Sequence, residues 1–78
     1  MQSSLAERVA INVRIEMARK SITQAELARR LFGKVDNTTR NLIWRRVSGI
    51  TPFGLDELLR TAEVLGVTVD SLYQDVVA

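Results

Sequence analysis

The stretch LARRLFGKVDNTTRNLIWRRVSG, residues 27–49, decides the fold, because it holds two apolar-periodic runs separated by a polar break. Helix-turn-helix motifs join their two helices by a turn of about 3–4 residues. Here the segment Gly33–Asn37 separates the two runs, and Thr38 and Thr39 add a second set of helix-capping residues. The pattern is typical either of a helix-turn-helix with an enlarged turn or of two unrelated helices in a small bundle.

Capping residues and apolar spacing outside this stretch predict three more helices, and no segment shows the sustained alternation of a strand. The predicted N-terminal caps are Ser3 or Ser4, Thr23, Thr38 or Thr39, and Thr68. The helices are expected to end near Lys20–Ser21, at Gly33, at Val47, at Leu65–Gly66 and after Tyr73. Their predicted buried residues are Leu5, Val9, Val13, Met17, Leu27, Ala28, Leu31, Ile43, Val47, Leu58, Leu59, Ala62, Leu65, Val69 and Leu72. We therefore predict an all-α, five-helix fold.

The composition excludes several classes of protein. A length of 78 residues suits one domain over residues 1–78, near the lower limit for a core of its own. The chain has no cysteine and no histidine, so it lacks thiolate metal ligands and the commonest general base. Its aspartates and glutamates are scattered over helix surfaces, so no nucleophile–base pair can be assembled. We expect no enzyme activity, no catalytic residue, no metal, no cofactor and no small-molecule substrate.

The start of the chain and its apolar runs bear on its location. No run approaches the ~20 apolar residues that cross a bilayer, so no membrane association is expected. Met1 is followed by a polar, amphipathic segment without the pattern of a signal peptide. The expected location is therefore cytoplasmic.

Charge is distributed unevenly along the chain, although its net value is only +2. Residues 1–50 contain ten lysines and arginines against four aspartates and glutamates, whereas residues 51–78 contain one against five. A basic region of this kind suits a polyanion such as nucleic acid. A solvated charged face without a partner is the alternative interpretation.

Three segments carry a resemblance to a known family: TQAELARRL (23–31), TTRNLIWRRVSG (38–49) and LLRTAEVLGVTVDSLY (58–73). Together they resemble the lambda-repressor-like helix-turn-helix domain of phage repressors, Cro proteins and many bacterial regulators. The resemblance covers residues 8–74 and places the helix-turn-helix at about residues 23–48. It implies a five-helix DNA-binding domain whose turn is enlarged by about five residues between Leu31 and Thr38.

The resemblance also implies roles for the outer face of the third helix. Positions 40, 41 and 45 point away from the apolar Ile43 and Val47, and relatives use these positions to read base edges in the major groove. Arginine suits O6 and N7 of guanine, and asparagine suits N6 and N7 of adenine. Trp44 either contacts a thymine methyl or sugar or covers the enlarged turn. The predicted base-reading residues are Arg40, Asn41, Trp44 and Arg45.

Phosphate contacts are expected at the start of the second helix and at the start of the third, where backbone N–H groups favour an anion. They are also expected in the loop after the third helix, where hydroxyls can donate. The predicted phosphate-binding residues are Gln24, Lys34, Thr38, Thr39, Arg46, Ser48 and Thr51. The counterpart of Gln24 in the family binds phosphate and braces the recognition helix. Ordinary polar surface is the alternative for these positions. Many relatives bury an apolar residue at the position of Arg46, whereas here the apolar residue is Val47. Base and phosphate roles could therefore exchange among the arginines and the asparagine of this helix.

The function implied is a sequence-specific transcriptional regulator of double-stranded DNA, such as a phage-type repressor or a Cro-like protein reading an operator. A DNA-binding antitoxin, whose main role is protein–protein interaction, is the alternative. Because one such domain reads only a few base pairs, a palindromic operator with two copies is expected. We predict a weak homodimer, strengthened on DNA, formed through the apolar residues of the acidic C-terminal part: Val67, Val69, Tyr73, Val76 and Val77.

Overall fold

The computed structural model describes residues 4–75 of the chain. Within them lie five α-helices and no strand: α1 (Leu5–Lys20), α2 (Gln24–Phe32), α3 (Asn37–Val47), α4 (Leu55–Leu65) and α5 (Val69–Leu72). For this part of the chain the prediction of an all-α fold with five helices is confirmed. None of these five helices combines the length and the apolar character that crossing a membrane requires.

Three of the predicted N-terminal caps are in place. Ser4 caps α1, where its hydroxyl accepts from the Glu7 N–H at 3.1 Å and the Glu7 carboxylate accepts from the Ser4 N–H at 3.2 Å. Thr23 and Thr68 cap α2 and α5 in the same way through their hydroxyls. Each bond satisfies a backbone N–H that the first turn of a helix leaves without a partner. Ser3, the other candidate cap of α1, lies outside the described residues.

The start of α3 differs from the prediction. Asp36, not Thr38 or Thr39, is the N-cap, and its Oδ1 accepts from the Thr39 N–H at 2.9 Å. The Thr39 hydroxyl in turn accepts from the Asp36 N–H at 2.9 Å. A carboxylate is a good cap because it accepts a hydrogen bond and also carries negative charge at the positive end of the helix dipole. The helix therefore begins at Asn37, earlier than the threonines suggested.

The connection between α2 and α3 is correspondingly short. Because α2 continues through Phe32 and α3 begins at Asn37, only the segment Gly33–Asp36 is non-helical, a span of four residues. Gly33 ends α2 with a positive φ of 80° and donates its N–H to the Arg29 carbonyl at 2.8 Å. The break is one residue shorter than the predicted segment Gly33–Asn37, because Asn37 is the first residue of α3.

The five helices pack around one apolar core, to which each contributes. Its fully or nearly buried side chains are Val9, Val13, Met17, Leu27, Ala28, Ile43, Val47, Leu58, Ala62, Leu65 and Leu72. Leu5, predicted to be buried, is 55 % exposed, and Leu59 is 46 % exposed. On α4 the fourth inward position is Thr61, whose hydroxyl donates to the Glu57 carbonyl at 2.7 Å. Leu58, Ala62 and Leu65 are therefore buried as predicted, and Thr61 takes the inward position predicted for Leu59.

Polar side chains of α1 bind the C-terminal ends of two other helices. Arg14 donates to the Val47 carbonyl at the end of α3. Asn12 donates to the carbonyls of Leu72 and Gln74, each at 2.8 Å, at the end of α5. The last carbonyls of a helix have no partner within it, so these bonds satisfy them and hold α3 and α5 against α1.

The cap of α3 generates a testable prediction. Asp36→Ala should lower the free energy of unfolding measurably, because it removes the acceptor for the Thr39 N–H. Thr38→Ala, which changes the exposed residue just before Thr39, should leave that free energy nearly unchanged. Urea unfolding of both variants measures the difference. If Thr38→Ala lowered the free energy of unfolding and Asp36→Ala left it unchanged, the N-cap of α3 would be Thr38 and not Asp36.

Candidate nucleic-acid interface

The outer face of α3 brings together the four predicted base-reading residues. Ile43 and Val47 are buried, and the opposite face carries exposed Arg40, Asn41, Trp44 and Arg45. Their spacing of one, four and five residues places them side by side on a single helical surface. Trp44 is 48 % exposed, which leaves much of its ring open on this surface. Two arginines, an amide and an indole therefore form one exposed strip along the helix.

Arg45 is the member of this strip with a tertiary hydrogen bond. Its Nε donates to the hydroxyl of Thr51 at 3.3 Å, and its carbonyl accepts from the Thr51 N–H at 3.1 Å. The same carbonyl also accepts from the Ile50 N–H at 3.0 Å. The turn after α3 is therefore bound to Arg45 through both backbone and side chain.

Arg46, a predicted phosphate contact, faces α4. Its Nε and Nη2 donate to the two carboxylate oxygens of Glu57 at 3.0 and 3.3 Å, and the two side chains are only 16 % and 25 % exposed. The Glu57 carboxylate also accepts from the Gly54 N–H at the start of α4, at 2.9 Å. A two-pronged pair of this kind is a strong, directional contact. It ties α3 to α4, and the sequence pattern did not reveal it.

The surroundings of Glu57 shift its pKa in opposite directions. Partial burial raises the pKa. Hydrogen bonds from Arg46 and from the Gly54 N–H, together with the positive charge of Arg46, lower it by a larger amount. The net result is a pKa below the usual value. The carboxylate is therefore ionised, and paired with Arg46, throughout the neutral range.

The N-terminus of α3 is occupied by the chain's own carboxylate. The hydrogen bond from the Thr39 N–H, together with the nearby Lys34 ammonium at 3.3 Å, holds the pKa of Asp36 below its usual value despite some desolvation. Thr39 is buried, and its hydroxyl donates to the Asp36 carbonyl at 3.2 Å. Thr39 therefore does not present its hydroxyl outward, in contrast to the exposed Thr38.

The remaining predicted phosphate contacts lie around the strip. Gln24 is the exposed first residue of α2, Lys34 lies in the turn before α3, and Ser48 is the exposed C-cap of α3. Thr51 is half-buried through its contact with Arg45. Within residues 4–75, no three carboxylates, histidines or cysteines lie close enough together to hold a metal ion.

Comparisons with protein-family models, with curated proteins and with solved structures find no match for this chain. The function is therefore inferred from the outer face of α3, the turn that precedes it and the distribution of charge.

The Arg46–Glu57 pair generates a prediction for stability against pH. Because the pKa of folded Glu57 is below the usual 4.5, its stabilising effect is complete above that value and is lost as the pH falls through the folded pKa. Glu57→Gln should lower the free energy of unfolding by about 1–2 kcal/mol at neutral pH. This difference from the unmodified chain should shrink as the pH falls below 4.5 and through the lowered folded pKa.

Urea unfolding at a series of pH values measures this difference. Glu63→Gln, an exposed substitution on the same helix, is the matched control and should change little at any pH. A Glu57→Gln deficit that is the same at all pH values would contradict the ion pair as its cause.

Proposed function

We propose that this chain is a sequence-specific, double-stranded DNA-binding regulator of transcription with a lambda-repressor-like helix-turn-helix. The observation that carries the proposal is the exposed strip of Arg40, Asn41, Trp44 and Arg45 on α3, which follows α2 after four non-helical residues. A recognition helix that follows a short turn and presents such side chains can lie in the major groove. Arginine and asparagine are the side chains that pair in two-pronged fashion with guanine and adenine.

The charge of the surrounding surface supports the same proposal. Lys34 precedes α3, and Arg40 and Arg45 extend from it, whereas the acidic residues concentrate after residue 50. Cations that contact phosphates release condensed counterions, which supplies affinity for any sequence, while the base edges supply the choice of sequence. In this proposal the basic surface supplies affinity for DNA of any sequence, and the α3 strip supplies the choice of sequence.

The proposed phosphate contacts are narrower than the sequence alone suggested. Gln24, Lys34, Thr38 and Ser48 are exposed, so they are retained. Arg46 is paired with Glu57 and the hydroxyl of Thr39 belongs to the helix cap, so neither is included. In this proposal the protein occupies its operator and blocks or directs polymerase, as phage-type repressors and Cro-like proteins do.

We further propose that two copies bind one operator as a weak homodimer that DNA strengthens. Of the predicted contact residues, Val67, Val69 and Tyr73 pack against the core, and Val76 and Val77 lie outside the described residues. More apolar surface is exposed at the first residues of α1 and α4, where Leu5 is 55 % and Leu55 is 71 % exposed. Exposed leucines of this kind supply apolar area that a second copy can bury.

The division between reading and positioning is testable by mutation. Arg40→Ala and Asn41→Ala should each weaken binding to a duplex selected from a random library by about 1–3 kcal/mol, because each removes a base contact. Binding to unrelated duplex should change little. Lys34→Ala should weaken both duplexes similarly and reduce the slope of log affinity against log salt by about one. Mobility shifts at several salt concentrations measure these quantities.

Two outcomes would contradict the assignment. If the base-strip variants and Lys34→Ala lose selected and unrelated binding in the same ratio, α3 does not read bases. If no duplex is retarded even at low salt, the chain does not bind DNA in this way.

Stoichiometry tests the proposed pairing. Sedimentation of the saturated complex should give two protein chains per selected duplex, and Leu55→Ser should weaken the second binding event by about five- to tenfold. Ile15→Ser, which changes a partly exposed apolar residue of α1, is the control for a general effect of lost apolar surface. One chain per duplex at saturation would exclude the dimer.

A further inference from the structure

Thr51 contacts Arg45 in a way that the role of a simple phosphate donor does not require. The Thr51 N–H donates to the carbonyl of Arg45 at 3.1 Å, and the Thr51 hydroxyl accepts from Arg45 Nε at 3.3 Å. The backbone bond fixes where the threonine lies relative to the end of α3. The side-chain bond then acts on the guanidinium from that fixed point.

The position of this bond on the guanidinium decides which of its donors remain. Arginine has five N–H donors in one plane, and Nε carries one of them. With Nε bound to Thr51, the edge formed by Nη1 and Nη2 is left for a two-pronged contact. That edge matches the O6 and N7 acceptors of guanine. The bond from Arg45 Nε to Thr51 therefore favours approach to a base through the Nη1–Nη2 edge over approach through the edge that contains Nε.

We propose that Thr51 is a positioning residue that orients the guanidinium of Arg45 for guanine. This inference rests on the proposed function, because it concerns how the α3 strip reads DNA. A free arginine side chain loses rotamer entropy when it is immobilised. A side chain that is already held in the unbound protein loses less on binding, so the contact is pre-organised.

The threonine hydroxyl also has a donor to spare. A hydroxyl carries one proton and two acceptor lone pairs, and the bond from Arg45 occupies only an acceptor position. The Thr51 proton can therefore be donated to a DNA phosphate at the same time. Such a phosphate contact would hold the threonine, and through it Arg45, in register with the base.

The experiment is a selection from a randomised duplex library followed by affinity measurements on the selected duplex. The unmodified chain and five variants are compared: Arg45→Ala, Thr51→Val, Thr51→Ser, the double variant Arg45→Ala/Thr51→Val and the control Glu63→Gln. The Arg45→Ala variant should lose a preference for guanine at one position of each half-site. Replacing that guanine with 7-deazaguanine, which lacks N7, should weaken the unmodified chain and leave Arg45→Ala nearly unaffected.

Thr51→Val keeps the shape of threonine without its hydroxyl, so it removes the hydrogen bond to Arg45 Nε and leaves the backbone bond in place. It should lower the preference for that same guanine by about three- to tenfold, the range expected for one hydrogen bond. Thr51→Ser should retain the preference, and Glu63→Gln, an exposed substitution on α4, should not alter it. The double variant Arg45→Ala/Thr51→Val should show no further loss of guanine preference beyond Arg45→Ala, because both changes act on the same base contact.

The contradicting outcomes are distinct from those for DNA binding itself. If Thr51→Val keeps the full guanine preference while Arg45→Ala loses it, Thr51 does not position Arg45. An additive loss in the double variant would also overturn the inference, because the two residues would then act independently. If the unmodified chain enriches no sequence at all, the proposed function fails instead.

Discussion

The reciprocal hydrogen bonds between Asp36 and Thr39 are the interaction on which the rest of the candidate site depends. They fix the residue at which α3 begins and leave four residues between α2 and α3. From that start, Thr39, Ile43 and Val47 face inward, and the strip from Arg40 to Arg45 faces outward. A helix has 3.6 residues per turn, so successive side chains differ by about 100° and the buried and exposed sets lie on different faces.

Polar contacts from neighbouring helices then hold α3 in place. Arg46 binds Glu57 of α4, and Arg14 of α1 donates to the Val47 carbonyl at the end of α3. These directed bonds act together with the buried side chains of Ile43 and Val47. The arginines of α3 are consequently divided between two tasks. Arg46 is engaged with the fold, and Arg40 and Arg45 extend from it.

Much of this fold could be predicted from the sequence, because caps and apolar spacing are local signals. Ser4, Thr23 and Thr68 were identified as caps, and Gly33 was identified as the end of the second helix. Local signals fail where two candidates compete. Asp36, Thr38 and Thr39 all suit a cap, and only the packing of Thr39 decides among them. On α4, Leu59 suggested burial by its type, whereas the inward position belongs to Thr61 because its hydroxyl is satisfied within the helix.

The exposed strip on α3 was also predictable, since it follows from the positions of Ile43 and Val47. The Arg46–Glu57 and Arg45–Thr51 contacts were not, because they depend on how α4 and the turn after α3 approach the helix. An arginine on a helix suits a phosphate, a base or a carboxylate equally well by its chemistry. Only the three-dimensional arrangement distinguishes the arginine that holds the fold from those that can reach a ligand.

The claim that α3 enters the DNA is tested most directly by two-dimensional ¹H–¹⁵N NMR during titration with a duplex selected by the chain. We expect the largest chemical-shift changes at the backbone amides of Arg40, Asn41 and Arg45 and at the Trp44 indole. Smaller changes are expected at Gln24 and Lys34, with the amides of α5 little affected. Changes concentrated on α5, or an α3 whose signals stay constant while the DNA is bound, would contradict it.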